Sequence, residues 1–367
     1  MIVGLLKEPD PETRVSLLAE HVSVLAKKGW TIWVESGAGE KAFCGDEDYG
    51  RYGAQVKSRK EVIEGTEILL CMQAAGVPAA LKSKTLVGAY QPQYYLDLMK
   101  QWAMQDLTTF SLDMLPRITR AQPMDVLSSQ ANIAGYKAVL IAADLFPRYF
   151  PMLMTAAGSI APARLLILGA GVAGLQAVAT ARRLGAVVEV FDTRPAVREE
   201  VMSLGAKFID VEGAADASAA GGYAVEQSEE FQVRQKNRIG ASIAKADIVI
   251  TTAQIPGKQA PILVTSTMIE AMKKGSVIID LAASSGGNTE LTKDRQTVVH
   301  HGVRIVGQSS LPSTMPLDAS RLYGRNLIHF LDLLADKEGR LAPDFADELV
   351  KGACITRGGE VVHERIK

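Results

Sequence analysis

Gly169-Ala170-Gly171-Val172-Ala173-Gly174 follows the apolar run Arg164-Leu165-Leu166-Ile167-Leu168 and opens a small-residue stretch, Leu175 to Leu184, that reads as a helix. A second apolar run, Ala186 to Phe191, ends in Asp192. The order is strand, G-x-G-x-x-G turn, helix, strand, acid, and in that setting the glycine spacing is a dinucleotide-binding fingerprint. Gly169 permits the tight turn, Gly171 lets a pyrophosphate approach the backbone, and Gly174 lets helix and strand pack closely. The helix start, with Ala170, Val172 and Ala173, offers free N–H groups and a positive dipole end to phosphates. Asp192 lies about 20 residues on, where an acid binds the ribose 2′-OH of NAD and repels the 2′-phosphate of NADP. The bland reading is a Gly-rich turn of some other α/β protein, and the flanking strand, helix and acid weigh against it.

Outward from this turn, strands and helices alternate. Apolar or β-branched runs at 2–6, 30–35, 67–72, 85–90 and 108–112 precede it, and runs at 207–211, 247–252, 276–281 and 304–307 follow. Residues 15–28 read as a helix with Leu17, Leu18, His21, Val22 and Leu25 on one face. Such alternation means parallel sheets covered by helices on both faces. Residues 212–235, rich in Ala, Gly, Ser and Glu, read as a mobile surface loop. Two long helical patterns, 126–145 and 319–337, read as the connections between domains, and Gly358-Gly359 marks a C-terminal hairpin that returns to the first domain. The expected architecture is α/β, with two Rossmann-like doubly wound parallel-sheet domains and a cleft between them. One is discontinuous, 1–130 plus 325–367, and the other, 131–324, is an inserted dinucleotide domain.

The 367 residues suit two domains, and 47% hydrophobic with 22% charged residues is ordinary for a globular protein. A net charge of −1 gives no electrostatic case for nucleic acid or an anionic membrane. Three scattered cysteines suggest a reducing compartment, and the five histidines lack zinc-site spacing, so no metal is expected. His300-His301 reads as a surface pair. The longest uncharged stretch, 165–181, contains the glycine turn and is too short for a span.

Lys7-Glu8-Pro9-Asp10-Pro11-Glu12-Thr13-Arg14-Val15 and Val34-Glu35-Ser36-Gly37-Ala38-Gly39 resemble the alanine dehydrogenase/transhydrogenase family, whose pattern runs through nearly the whole chain. Pro116 to Gln122, Met124 to Gln130, Phe191 to Pro195, Gly221-Gly222-Tyr223-Ala224 and Ile255-Pro256-Gly257 resemble, within it, the NAD(H)-binding component of proton-translocating transhydrogenases. That resemblance implies that Arg117, Gln122, Asp125 and Ser128 surround the nicotinamide, and that Tyr223 closes over bound nucleotide. It also implies that Asp192 holds the adenosine ribose, with Thr193, Arg194 and Ala253 in the cofactor-binding set. The implied partners are an NADP(H)-binding domain and a membrane-spanning proton channel, with this chain a homodimer at the cytoplasmic side of the inner membrane. Plainer readings stand beside these. Asp125 also suits an N-cap, Ser128 a helix-start acceptor, and Arg117 and Arg120 solvated surface charges. Tyr223 also suits an exposed loop aromatic. Arg194 could be offered as a 2′-phosphate partner, but Asp192 at the strand end favours NAD and leaves Arg194 for the pyrophosphate side or a domain interface.

An amino-acid dehydrogenase needs a titrating acid/base and a cation to polarise the substrate carbonyl. The resemblance places its lysine and histidine at strand ends that here read Cys71-Met72-Gln73 and Ala89-Tyr90-Gln91. Gln73 and Gln91 do not titrate. Arg14, matching a substrate-carboxylate arginine, remains. Hydride exchange between two nicotinamides needs no acid/base at the reacting carbons, only held rings and excluded water. The expected function is therefore the hydride-donating half of a transhydrogenase (NADH + NADP⁺ to NAD⁺ + NADPH). The alternatives are a stand-alone amino-acid dehydrogenase using Arg14 with a base such as Lys82 or Lys84, or a non-catalytic NAD(H) sensor.

Overall fold

The computed structural model describes residues 1–211, 228–255 and 257–366, which fall into two compact units. Met1–Gln130 and Pro312–Lys367 form the first, and Ala131–Leu311 the second. The second crossing thus precedes the helix Pro316–Leu331 rather than cutting it near residue 325. That helix packs as a whole on the first unit, with Tyr323, Leu327, Phe330 and Leu331 buried in its core.

The first unit is built on an eight-stranded sheet. From edge to edge its strands are Glu360–Val361, Cys354–Arg357, Thr108–Ser111, Thr85–Gly88, Ile68–Leu70, Ile2–Leu5, Thr31–Glu35 and Gln55–Lys57. The six N-terminal strands are parallel, as expected, and Ile68-Leu69-Leu70 is wholly buried, the continuous apolar run of a doubly covered strand. The C-terminal return adds an antiparallel edge, where Thr109 and Thr356 hydroxyls meet at 2.8 Å. Gly358 and Gly359, both at positive φ, make the tight turn. The predicted helix over 15–28 is shorter, Ala19–Ala26. Ahead of it the chain is held extended by side chains, Val15 N–H donating to Ser320 Oγ and Leu18 N–H to His21 Nδ1.

The second unit is built on a seven-stranded sheet. Its strands in order are Lys207–Phe208, Val187–Phe191, Arg164–Leu168, Ile248–Thr251, Val277–Asp280, Val303–Gly307 and the antiparallel Gln296–His300. The helix after the glycine turn starts earlier than Leu175, at Val172, and runs to Arg183. Residues 228 onward correct the predicted loop. Ser228 Oγ accepts from Phe231 N–H and caps a helix, Glu229–Ile243, with Glu229 and Glu230 in its first turn. A small hairpin, Leu153–Thr155 with Gly158–Ile160, was not expected. No helix among the described residues is long and apolar enough to cross a membrane.

In both units the first strand lies inside the sheet and strand order reverses beside it, between Ile2–Leu5 and Ile68–Leu70 and between Arg164–Leu168 and Ile248–Thr251. Ligands of open α/β sheets bind outside the carboxyl ends of the strands at such reversals.

Candidate functional site

At the switch point of the second unit the glycines sit where backbone alone fits. Gly169 has φ +107°, and its N–H donates to Phe191 O at 2.8 Å. A Cβ on Gly174 would lie 1.9 Å from Gly169 O, whereas one on Gly171 would meet nothing within 4 Å. The turn is therefore tight beneath and open above, as a pyrophosphate requires. Gly171 is the helix N-cap and brings no side chain to it, so the first-turn amides of Val172, Ala173 and Gly174 are left for a ligand.

Asp192 closes one side of this cradle. Its Oδ2 accepts from Ala170 N–H at 2.7 Å, and its Oδ1 from Arg194 N–H at 2.8 Å. The Arg194 guanidinium folds back in a fork on both oxygens, which raises the guanidinium pKa further. Thr193 lies half-buried between them. Ala253 stands across the switch point, and Thr252 Oγ1 donates to Gly169 O at 3.1 Å.

Sequence reasoning missed what holds Ala253. Fully buried Asn288 accepts from Ala253 N–H at 3.1 Å and donates to Ala253 O at 2.8 Å and Pro261 O at 2.9 Å. Asn288 is set in turn by buried Asp280, which accepts from the amides of Ala282, Asn288 and Thr289 and from Thr292 Oγ1. The available signal was an acid at the end of the apolar strand, followed by Gly286-Gly287-Asn288.

In the first unit, Arg117 precedes a 3-10 turn, Thr119–Met124, that carries Gln122 and runs through Asp125 into the helix Val126–Leu145, which carries Ser128. Asp125 and Ser128 are brought together, the carboxylate accepting from Ser128 N–H at 2.9 Å and from its hydroxyl at 2.5 Å. Asp125 thus caps this helix, the plainer reading of its position. Arg117 and Gln122 are exposed. Arg120 pairs with Asp347 and Glu348 and is a surface charge. Tyr223 and Pro256 lie outside the described residues.

The switch point of the first unit carries a charged cluster. Glu12 accepts from the amides of Thr13 and Arg14, from Ser313 Oγ and Gln73 Nε2, and from Arg14 Nε and Nη2. Burial pushes this carboxyl up, but the Arg14 bonds and charge outweigh it and hold its pKa at about 2. Arg14 also donates to Gln130 Oε1 at 2.8 Å, so its guanidinium is engaged on both sides. Glu8, which the sequence reading passed over, is buried three residues beyond the first strand, Ile2–Leu5. It accepts from Met72 N–H and the Cys71 thiol, and desolvation raises its pKa to about 7 against those bonds. Gln91 is exposed, with φ +50°. Lys84 donates to Glu64 O and Thr66 O just before the strand Thr85–Gly88, so Lys82 and Lys84 stand at the opposite end of the sheet from Gln73 and Gln91. His300 and His301 lie at a hairpin turn of the second unit, beside Glu270.

A glycine turn, a bare helix start and a strand-end acid at the switch point define a nucleotide-binding Rossmann fold. Residues 4–134 match the N-terminal and residues 138–364 the C-terminal domain of the alanine dehydrogenase/PNT family, and the chain belongs to that family. It is 44% identical to the first part of NAD(P) transhydrogenase subunit alpha of Rhodospirillum rubrum, over 99% of this chain and 98% of that one. A solved transhydrogenase from Sinorhizobium meliloti superposes with a TM-score of 0.90 at 43% identity, covering 99% of this chain and all of that one. A solved L-alanine dehydrogenase gives 0.80 at 26% identity, covering 100% and 98%.

Proposed function

We propose that this chain is the NAD(H)-binding, hydride-donating component of a proton-translocating transhydrogenase. The single observation that carries this reading is the first-unit switch point. The arginine that would hold an amino-acid carboxylate is clamped by Glu12 and Gln130, and glutamines stand where a dehydrogenase needs titrating groups. The 44% identity to a transhydrogenase alpha subunit supports it independently.

The chain's own residues then divide the work. Val172, Ala173 and Gly174 amides bind the pyrophosphate, Asp192 binds the adenosine ribose and disfavours a 2′-phosphate, and Ala253 contacts the nucleotide from across the switch point. Bound NADH supplies the hydride. Arg117, Gln122, Asp125 and Ser128 orient the nicotinamide through its carboxamide, and orientation within about 1 Å is worth roughly 10²-fold in rate. NADP⁺ is held by a partner domain, proton flow is coupled through a membrane-spanning partner, and the chain works as a homodimer at the cytoplasmic face of that complex.

The test is to mix the purified chain with an NADP⁺-loaded partner domain and follow transfer from NADH deuterated at C4. Deuterium should appear in NADPH without exchange with solvent, and alanine should not reduce NAD⁺ with this chain at any pH. Alanine-dependent reduction, or solvent hydrogen at C4 of the NADPH formed, would move the assignment to a stand-alone dehydrogenase.

A further inference from the structure

A cluster remote in sequence from the glycine turn remains unused by this reading. The strands Gln296–His300 and Val303–Gly307 are joined by the two-residue turn His301-Gly302, in register His300 opposite Val303. Along a strand, neighbouring side chains point to opposite faces. Here the turn prevents that, because His301 takes φ +48° and Gly302 φ +79°. The two imidazoles come to the same side, with ring centroids 4.8 Å apart. The short helix Ser266–Glu270 brings Glu270 to them, its Oε1 lying 3.0 Å from His300 Nε2 and 3.9 Å from His301 Nε2. The turn is fixed against the segment after that helix by Gly275 N–H donating to Gly302 O at 2.8 Å.

We propose that Glu270, His300 and His301 form a three-ligand site for a borderline divalent transition-metal ion of the Zn²⁺ type, completed by water. One ligand atom from each residue lies within 4.8 Å of the others. A tetrahedral zinc with bonds of about 2.0–2.1 Å needs ligand atoms about 3.3 Å apart, so small side-chain rotations close the set. Two imidazoles and one carboxylate select zinc or nickel over magnesium or calcium, which prefer oxygen ligands alone. The ion replaces the Glu270–His300 contact and ties an edge hairpin of the sheet to the end of a helix. Binding to the folded state alone then raises thermal stability by mass action.

The experiment is calorimetric titration of the full chain with Zn²⁺, with Mg²⁺ as control. One equivalent of Zn²⁺ should bind and raise the melting temperature, and Mg²⁺ should do neither. His301→Gln and Glu270→Gln should each weaken Zn²⁺ by about tenfold or more while leaving NADH affinity unchanged, and His329→Gln, at an exposed histidine elsewhere, should change nothing. In Cu²⁺-loaded protein, paramagnetic resonance should show two coordinating nitrogens, and one in His301→Gln. Absence of stoichiometric Zn²⁺ binding overturns the proposal, as does binding of equal strength in the His301 and Glu270 variants or an unchanged nitrogen count.

Discussion

The guanidinium of Arg194 forks the carboxylate of Asp192, with Nε 2.9 Å from one oxygen and Nη2 2.8 Å from the other. Ala170 and Arg194 amides bond the same two oxygens, so four donors already fill the carboxylate. If Asp192 holds the adenosine ribose as proposed, the diol must share or displace the fork, and the arginine charge would soften the repulsion of Asp192 for a 2′-phosphate. Replacing Arg194 by Gln is therefore expected to raise the ratio of NADH to NADPH affinity by about tenfold, ~1.4 kcal/mol. Asp192→Ser should lower the ratio, chiefly by weakening NADH. Fluorescence titrations with both reduced nucleotides read these directly, and a falling ratio in Arg194→Gln would reject the shielding argument.

Asp125 invites a separation of two roles. Its bonds to the Ser128 amide and hydroxyl make it a helix cap, and loss of such a cap costs about 1 kcal/mol. Asn caps as well as Asp but carries no charge. Asp125→Ala should thus lower stability by about that amount, while Asp125→Asn should not. If the carboxylate also orients the nicotinamide, both variants slow hydride transfer, as does Gln122→Ala at its exposed site. Denaturation curves and single-turnover transfer rates on the same samples distinguish the cases. A normal rate in Asp125→Asn would leave Asp125 with the cap alone.

Much of the fold was legible because local chemistry and tertiary demand agree there. The glycine turn, the buried strand Ile68–Leu70 and the Gly358-Gly359 hairpin each follow from residue type and spacing. The misses have physical causes. Val15–Leu18 is apolar at helical spacing, but its amides are taken by Ser320 and His21 side chains, partners that periodicity does not reveal. The helix Glu229–Ile243 was masked by the Ala/Gly-rich residues before it, although Ser228 and two glutamates announce its start. The place of Asp192 beside the glycine turn could be read from a motif, whereas Asn288 and Glu8 bond backbone groups far away in sequence. The Arg14–Glu12 fork likewise had to be seen, since a sequence cannot say whether an arginine meets a substrate or its own neighbour.

Asn288 is expected to be costly to replace. It is fully buried, and its carboxamide holds Ala253 N–H, Ala253 O and Pro261 O. Asn288→Ala removes three hydrogen bonds, at about 1–3 kcal/mol for each group left unsatisfied. Asn288→Asp keeps the shape but turns an acceptor on two carbonyls, so it should be no better tolerated than Ala. Because the loop carrying Ala253 loses its anchor, NADH affinity should fall along with stability. Wild-type affinity in a folded Asn288→Ala variant would remove Ala253 from the binding surface.

Glu8 sets a pH dependence of the fold itself. Burial raises its pKa to about 7 in the folded chain, while the ordinary value of 4.5 applies when the chain unfolds. Between those two values the folded form holds a proton that the unfolded form has lost, so stability falls as pH rises and levels off above about 7. Glu12 acts in the opposite sense. Its pKa, held at about 2, gives stability that is complete above 4.5 and lost as pH falls toward 2, so it contributes no slope near neutrality. Glu8→Gln keeps the shape and the acceptor for Met72 N–H but carries no titrating proton. It should be nearly neutral at pH 4.5 and stabilising by roughly 3 kcal/mol at pH 8, a magnitude set by about 1.4 kcal/mol for each tenfold change in proton affinity. Chemical denaturation of the full chain at half-unit intervals from pH 4.5 to 8 measures both curves. Parallel slopes in wild type and Glu8→Gln would show that Glu8 ionises normally and that the buried carboxyl is not the source of the dependence.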